Sequence, residues 1–169
     1  MQIFKYFMLF LVLIACSLLG KLLSKRYLDR LKELEDIKNS LNVFKSKIKF
    51  TYEPLPEIFD EISKNTSKNI GQIFKMAKEK MKDTSAKIAW EEAVDKSSSN
   101  MTKDDRYVLK TLSKLLGQTD IEGQLSQIEI TQKFLDTQIK DAIEQKQKNE
   151  KLYSKLGTTI GLAIVIILY

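Results

Sequence analysis

The chain of 169 residues carries 28 lysines and arginines against 22 aspartates and glutamates, a formal net charge of +6, with no histidine, one cysteine and two prolines. Without histidine there is no Ser-His-Asp or Cys-His relay, no His-ligated zinc and no histidine pH switch. A single cysteine excludes an internal disulfide and a cysteine metal cluster, and two prolines in one short stretch leave the rest free to be helical.

The first element is apolar. No residue from Tyr6 to Gly20 is charged, and Ile3, Phe4, Leu22 and Leu23 extend the run beyond Lys5 and Lys21. Both lysines can snorkel to headgroups, so a span near the usual ~20 residues is available. Residues 1–23 are therefore expected to form an N-terminal transmembrane helix. A cleaved signal peptide has the same charge-then-apolar layout. Leu13-Ile14-Ala15-Cys16 also has the form of a lipoprotein cleavage box. Used as one, it would make Cys16 a lipidated N-terminus and turn the protein outward. Against that alternative, Ser17 to Leu23 stay apolar instead of opening into a polar tether.

The central region, 24–155, reads as a helical bundle. Leu34, Ile37, Leu41, Phe44 and Ile48 fall on one helical stripe ending near Phe50. Thr51-Tyr52-Glu53-Pro54-Leu55-Pro56 stops it, because a proline biases its predecessor away from helix. Pro56 suits the first turn of a short helix carrying Ile58, Phe59 and Ile62. Ile70, Phe74, Ala77 and Met81 mark a third helix, and Ser85 can cap a fourth with Ala89, Trp90, Ala93 and Val94. Thr102-x-x-Asp105 resembles a capping box opening a fifth helix with Leu109, Leu112, Leu115 and Leu116, closed by Gly117. Asp120 can start the last helix, on which Ile121, Leu125, Ile128, Leu135, Ile139 and Ala142 recur, interrupted by Gln132. Beyond Ile143 the run from Glu144 to Lys151 is polar on every side and is expected to carry the helix through solvent. No stretch alternates as a strand would, so the fold class is all-α.

Residues 156–169 close the sequence without a charge and are expected to form a C-terminal transmembrane segment. At 1.5 Å per residue they reach only about 21 Å of a ~30 Å hydrocarbon core, so Leu152 and Tyr153 or local thinning must supply the rest. A tail lying in the interface is the alternative. Gly157 and Gly161 form a Gly-x-x-x-Gly spacing that lets another helix approach closely.

Basic residues concentrate at the two junctions: Lys25, Arg26, Arg30 and Lys32 against Asp29 on one side, Lys146, Lys148, Lys151 and Lys155 against Glu144 and Glu150 on the other. The interior between them is nearly neutral. Lysine and arginine flanking a span stay inside, which predicts a cytoplasmic bundle and weakens a nucleic-acid reading, which needs a basic stripe on the folded domain.

Reactive chemistry is sparse. Neighbouring acids in Glu91-Glu92 and Asp104-Asp105 diverge by about 100° on a helix, so they are read as solvated faces. No phosphate loop of the Gly-x-x-x-x-Gly-Lys-Ser/Thr type is present. Lys45, Lys47 and Lys49, and Lys75, Lys78, Lys80 and Lys82, read as helix-surface lysines, and Trp90 reads as core. No catalytic, cofactor-binding or metal-binding residue is expected, and the protein is read as a non-enzyme.

The order of these features resembles the stage III sporulation protein AB family over essentially the whole chain. The likeness rests on Lys25-Arg26-Tyr27 after the apolar start, the Leu34–Ile48 helix and the turn Ile48-x-x-x-Tyr52-x-Pro54-Leu55-Pro56. It continues through Ala89-Trp90-Glu91-Glu92-Ala93, Leu115-Leu116-Gly117-x-x-Asp120, Gln124 and Lys148-Asn149-Glu150-Lys151-Leu152-Tyr153-x-x-Leu156-Gly157. The Ser-rich loop from Asp95 to Asn100 departs from the pattern and suggests no contact. The resemblance implies a multi-pass protein of the mother-cell membrane around the forespore, similar to the type II secretion F platform proteins. It further implies a place in a sporulation channel, with other stage III proteins and a separately encoded secretion-type ATPase as partners.

Overall fold

The computed structural model describes residues 2–168; the side chains of residues 2–10, 12, 13, 16, 17, 21, 154, 157, 158, 165, 167 and 168 lie outside that description. The chain is helical throughout, with no strand among the described residues. Helix α1 spans Gln2–Phe50. Its last turn is closed by the Thr51 hydroxyl, which donates 2.8 Å to the Lys47 carbonyl, while Lys47 and Lys49 favour the negative end of the helix dipole. Tyr52 then takes a left-handed φ of 54°, a conformation a side chain resists, and Pro54 turns the chain into α2 (Leu55–Asn65), which carries Pro56 in its first turn.

The next helices are α3 (Lys68–Lys80), α4 (Ala86–Lys96) and α5 (Lys103–Thr111). The Ser85 hydroxyl accepts the Ile88 N–H at the start of α4, and the Thr102–Asp105 capping box is complete at the start of α5. Here the structure corrects one expectation. Helix α5 stops at Thr111, a short 3₁₀ turn (Leu112–Lys114) follows, and Leu115 stays exposed instead of joining the core. Gly117 ends the segment with φ 69°, and Asp120 accepts the Gly123 N–H at 2.9 Å to open α6 (Ile121–Leu168). The polar run from Glu144 to Lys151 is helical, as expected.

Two compact units divide the chain: Met1–Asp29 with Ala142–Tyr169, and Arg30–Asp141. In the first, the rings of Tyr27 and Tyr153 stack at 6.3 Å. In the second, the predicted stripe of α1 (Leu34, Ile37, Leu41, Phe44, Ile48) is buried throughout. Phe44, Phe59, Phe74 and Trp90 form a chain of ring contacts at 5.2–5.6 Å, and the Trp90 indole N–H donates 2.8 Å to the Leu109 carbonyl. On α6 the core stripe of this unit is Ile128, Thr131 and Leu135, whereas Ile121 is exposed. Thr131 is accommodated because its hydroxyl donates to the Gln127 carbonyl at 2.9 Å. That local bond removes the cost of a buried hydroxyl.

The two expected transmembrane segments, 1–23 and 156–169, are helical where described, yet among the described residues no helix is long and apolar enough to cross a membrane. Much of the first apolar run, and the Cys16 side chain on which the lipoprotein alternative depends, lies outside the described side chains.

Gly117 is required by its backbone conformation. Besides its left-handed φ, an added Cβ would stand 3.2 Å from Leu55 Cδ1 and 3.4 Å from Ala86 Cβ. Gly117→Ala is expected to destabilise the Arg30–Asp141 unit by about 1–2 kcal/mol, measured as a lowered thermal midpoint of the full chain in detergent. An unchanged midpoint would contradict the strain argument.

Candidate functional site, the ionic clamp of Arg30

Arg30 lies on α1 where the Arg30–Asp141 unit begins, and its side chain is almost wholly buried. A buried guanidinium must be paired and hydrogen-bonded to be tolerated. Its Nε donates to Asp105 Oδ2 at 2.8 Å and its Nη2 to Asp105 Oδ1 at 2.9 Å, a two-pronged fork across 75 residues of sequence. From the same guanidinium, Nη1 and Nη2 donate to Asp141 Oδ2 on α6 at 3.2 and 3.1 Å. One cation is thus shared by carboxylates on α5 and α6.

Asp105 has a second task. Its Oδ2 also accepts the Thr102 N–H at 2.7 Å, while its own N–H donates to the Thr102 hydroxyl at 3.2 Å. Burial pushes its carboxyl pKa up, but the hydrogen bonds from Arg30 and from Thr102 outweigh that and hold it below the ordinary carboxylate value. The hydrogen bond to Asp105 correspondingly raises the Arg30 pKa, against the opposing effect of burial. Both ends of the fork are therefore charged at any physiological pH.

One turn further along α1, buried Glu33 gathers three neutral donors. Its Oε1 accepts the Asn69 and Asn100 side-chain amides at 2.7 and 3.0 Å, and its Oε2 accepts the Asn100 N–H at 2.7 Å. Beside Asp105, Arg106 grips the loop after α4. Its Nη1 donates to the Val94 carbonyl and the Ser97 hydroxyl (2.9 Å), and its Nη2 donates to the Ser97 carbonyl and the Ser99 hydroxyl, both at 3.1 Å. A guanidinium at that place satisfies the orphan carbonyls at the end of α4.

Two sequence expectations are corrected here. Of the pair Asp104-Asp105, only Asp104 is exposed; Asp105 is fully buried and ion-paired. The loop from Asp95 to Asn100, expected to make no contact, is held by Arg106 and Glu33. The capping-box spacing was the one local signal for Asp105; its cation lies 75 residues away, and nothing in the sequence marks Arg30 apart from the neighbouring junction charges. Of the other acids, Glu91 accepts the Ser113 hydroxyl at 2.6 Å. Glu92 takes both Lys80 and Lys96, and those hydrogen bonds, the one from Lys80 foremost, lower its pKa. The surface lysines are more engaged than solvation alone requires: Lys45 pairs with Glu129, Lys47 with Glu53 and Glu61, and Lys78 with Asp60. Lys64 and then Lys78 hold Asp60 down to a pKa of about 2. Trp90 is core, as expected.

The chemistry of the clamp is positional. A guanidinium saturated by two carboxylates has no lone pair to accept a proton, so it fixes α1, α5 and α6 to one another. Among the described residues no group of three His, Cys, Asp or Glu side chains could hold a metal ion. The architecture is that of an all-helical bundle with an apolar core and a few buried, hydrogen-bonded charges, Arg30, Glu33 and Asp105.

Residues 5–169 match the family described as Stage III sporulation protein AB. The chain is 25% identical over 161 residues to "Stage III sporulation protein AB" of Bacillus subtilis (strain 168), covering 93% of this chain and 94% of that one. A solved structure titled "Stage III sporulation protein AB (SpoIIIAB)" superposes with a TM-score of 0.66 at 24% identity, over 72% of this chain and 98% of the other, which shows the shared fold. The chain belongs to the stage III sporulation protein AB family, and its role lies in sporulation.

Proposed function

We propose that the protein is a non-enzymatic membrane platform of the sporulation channel between mother cell and forespore. Apolar helices hold it at both ends, and the bundle within 24–155 docks other stage III proteins and a secretion-type ATPase in the mother-cell cytoplasm. One observation carries this reading. The Arg30–Asp141 ion pair, at 3.1 Å, sets the point where α1 enters the Arg30–Asp141 unit beside the point where α6 leaves it. A chain anchored at both ends in one membrane needs its domain to begin and end on the same side, and this pair is consistent with that arrangement. The lysines and arginines at both junctions support the cytoplasmic side.

Cysteine accessibility tests the topology. In a Cys16→Ser background, single cysteines at Ser98 and Tyr169 are exposed to a membrane-impermeant maleimide on intact cells. Protection at Ser98 with labelling at Tyr169 is the expected result; labelling at Ser98 would put the bundle outside and favour the lipoprotein built on Cys16. Metabolic palmitate labelling that disappears in Cys16→Ala would then identify that form. Docking is tested by capture of the ATPase on the membrane-embedded full chain. Replacing Pro54 and Pro56 by alanine is expected to weaken capture while leaving helix content unchanged, because these residues set how α1 passes into α2. Undiminished capture would remove the turn from the docking surface.

A further inference from the structure

Within the unit formed by residues 1–29 and 142–169, one cleft of about 310 Å³ is lined by Leu18, Leu22, Leu28, Lys25, Lys146 and Glu150. Its wall is graded along α1. Leu18 and Leu22 are 54% and 63% exposed, a large apolar surface for two side chains flanking a recess. Lys25, one turn beyond Leu22, is exposed. Lys146, on α6, makes only a long ion pair of 4.0 Å with Glu150 on its own helix. With two ammonium groups against one carboxylate, the lining carries a net positive charge.

Two ammonium groups beside an uncovered leucine surface are complementary to an amphiphile with an anionic head. A phosphate can pair with the lysines that line the cleft while its acyl chain covers Leu18 and Leu22. A free inorganic anion would satisfy the lysines and leave the leucines in water; a zwitterionic lipid would cover the leucines and gain little from the lysines. We propose that this cleft holds one anionic phospholipid at the headgroup level, a discrete site distinct from the diffuse attraction of the junction charges. The proposal rests on the reading of both helical ends as membrane-embedded, since only there does a phospholipid meet the cleft.

The test uses the full chain in phosphatidylcholine nanodiscs doped with phosphatidylglycerol, with native mass spectrometry of the released protein counting retained lipid. The wild type is expected to keep one phosphatidylglycerol, and K25Q/K146Q to bind it more weakly by on the order of tenfold or more, the effect of two lysines near a lipid surface. The control K148Q/K151Q removes the same number of charges from the second junction outside the cleft and should retain the lipid. Equal loss in both variants would overturn the site and leave diffuse electrostatics. Displacement by millimolar inorganic phosphate would overturn the lipid as occupant, because a free anion would then suffice. Carbonate extraction, run in parallel, reads membrane embedding independently. Protein lost to the supernatant refutes the membrane reading and the site with it, whereas embedded protein without a retained anionic lipid refutes the site alone.

Discussion

Arg30→Met is expected to destabilise the Arg30–Asp141 unit by about 3–5 kcal/mol, because it leaves Asp105 buried and charged without its cation. Against total stabilities of about 5–15 kcal/mol, that is a large fraction of what holds a domain together. Asp105→Asn should also destabilise, since it strands the Arg30 guanidinium, although Asp141 still offers it one carboxylate. Arg30→Met combined with Asp105→Asn removes both buried charges and keeps an acceptor for the Thr102 N–H. The double variant is therefore expected to lose much less than the sum of the two single changes. Asp141→Asn touches a carboxylate that is 48% exposed and should cost about 1 kcal/mol or less. Thermal unfolding of the full chain in detergent, followed through the emission of its single tryptophan, measures all four. Additive losses would show that the fork contributes no coupling.

The pH dependence of the same clamp has a definite sign. The Asp105 pKa is depressed in the folded state relative to its ordinary 3.8. A depressed carboxyl contributes stability that is fully present above the unfolded value and disappears as pH falls through the folded one. The thermal midpoint should therefore hold steady from neutral pH down to about 5 and drop below 4. In Asp105→Asn the drop should be smaller, with the remainder coming from the lysine-paired carboxylates Asp60, held down to a pKa of about 2, Glu92 and Glu129, whose values are also lowered.

How much of this could be read beforehand depended on how local each cause is. The α1 stripe, the proline turn, the Ser85 cap and the Thr102–Asp105 box are set by neighbours within four residues, and they appear where spacing and capping chemistry put them. The α5 end is not legible from spacing, because leucines at 112, 115 and 116 fit a helical period equally well. What decides the matter is that Leu112 and Leu116 are buried while Leu115 is not, a tertiary fact. Spacing puts the interruption of the α6 stripe at Gln132, whereas the polar residue on the core face is Thr131, whose hydroxyl is satisfied by the Gln127 carbonyl. Arg30, Glu33 and Arg106 were illegible for a common reason. Each acts beyond its own helical turn, over 75 residues for Arg30 to Asp105, 67 for Glu33 to Asn100 and 7 to 12 for Arg106 to the loop after α4, and a charged residue at a helical position reads as surface until its partner is known.

Phe59→Ala is the second change expected to have a large effect, about 3–5 kcal/mol. Phe59 is fully buried and stands within 5.2–5.6 Å, centroid to centroid, of Phe44, Phe74 and Trp90, so it joins α1, α3 and α4 through one ring on α2. Deleting that ring removes its transfer energy and leaves an apolar void that three large neighbours cannot easily close. Phe59→Leu keeps most of the volume and should cost much less, about 1–2 kcal/mol. Trp90 reports on the result directly: fully buried in the wild type, its emission should stay blue-shifted in Phe59→Ala, because a cavity lined by aromatic rings remains dry. Benzene, which fits such a void, should then raise the thermal midpoint of Phe59→Ala and leave that of the wild type unchanged. A red-shifted emission with no response to benzene would mean that the helices had parted and admitted water, and that the ring cluster is a hinge in place of a rigid core.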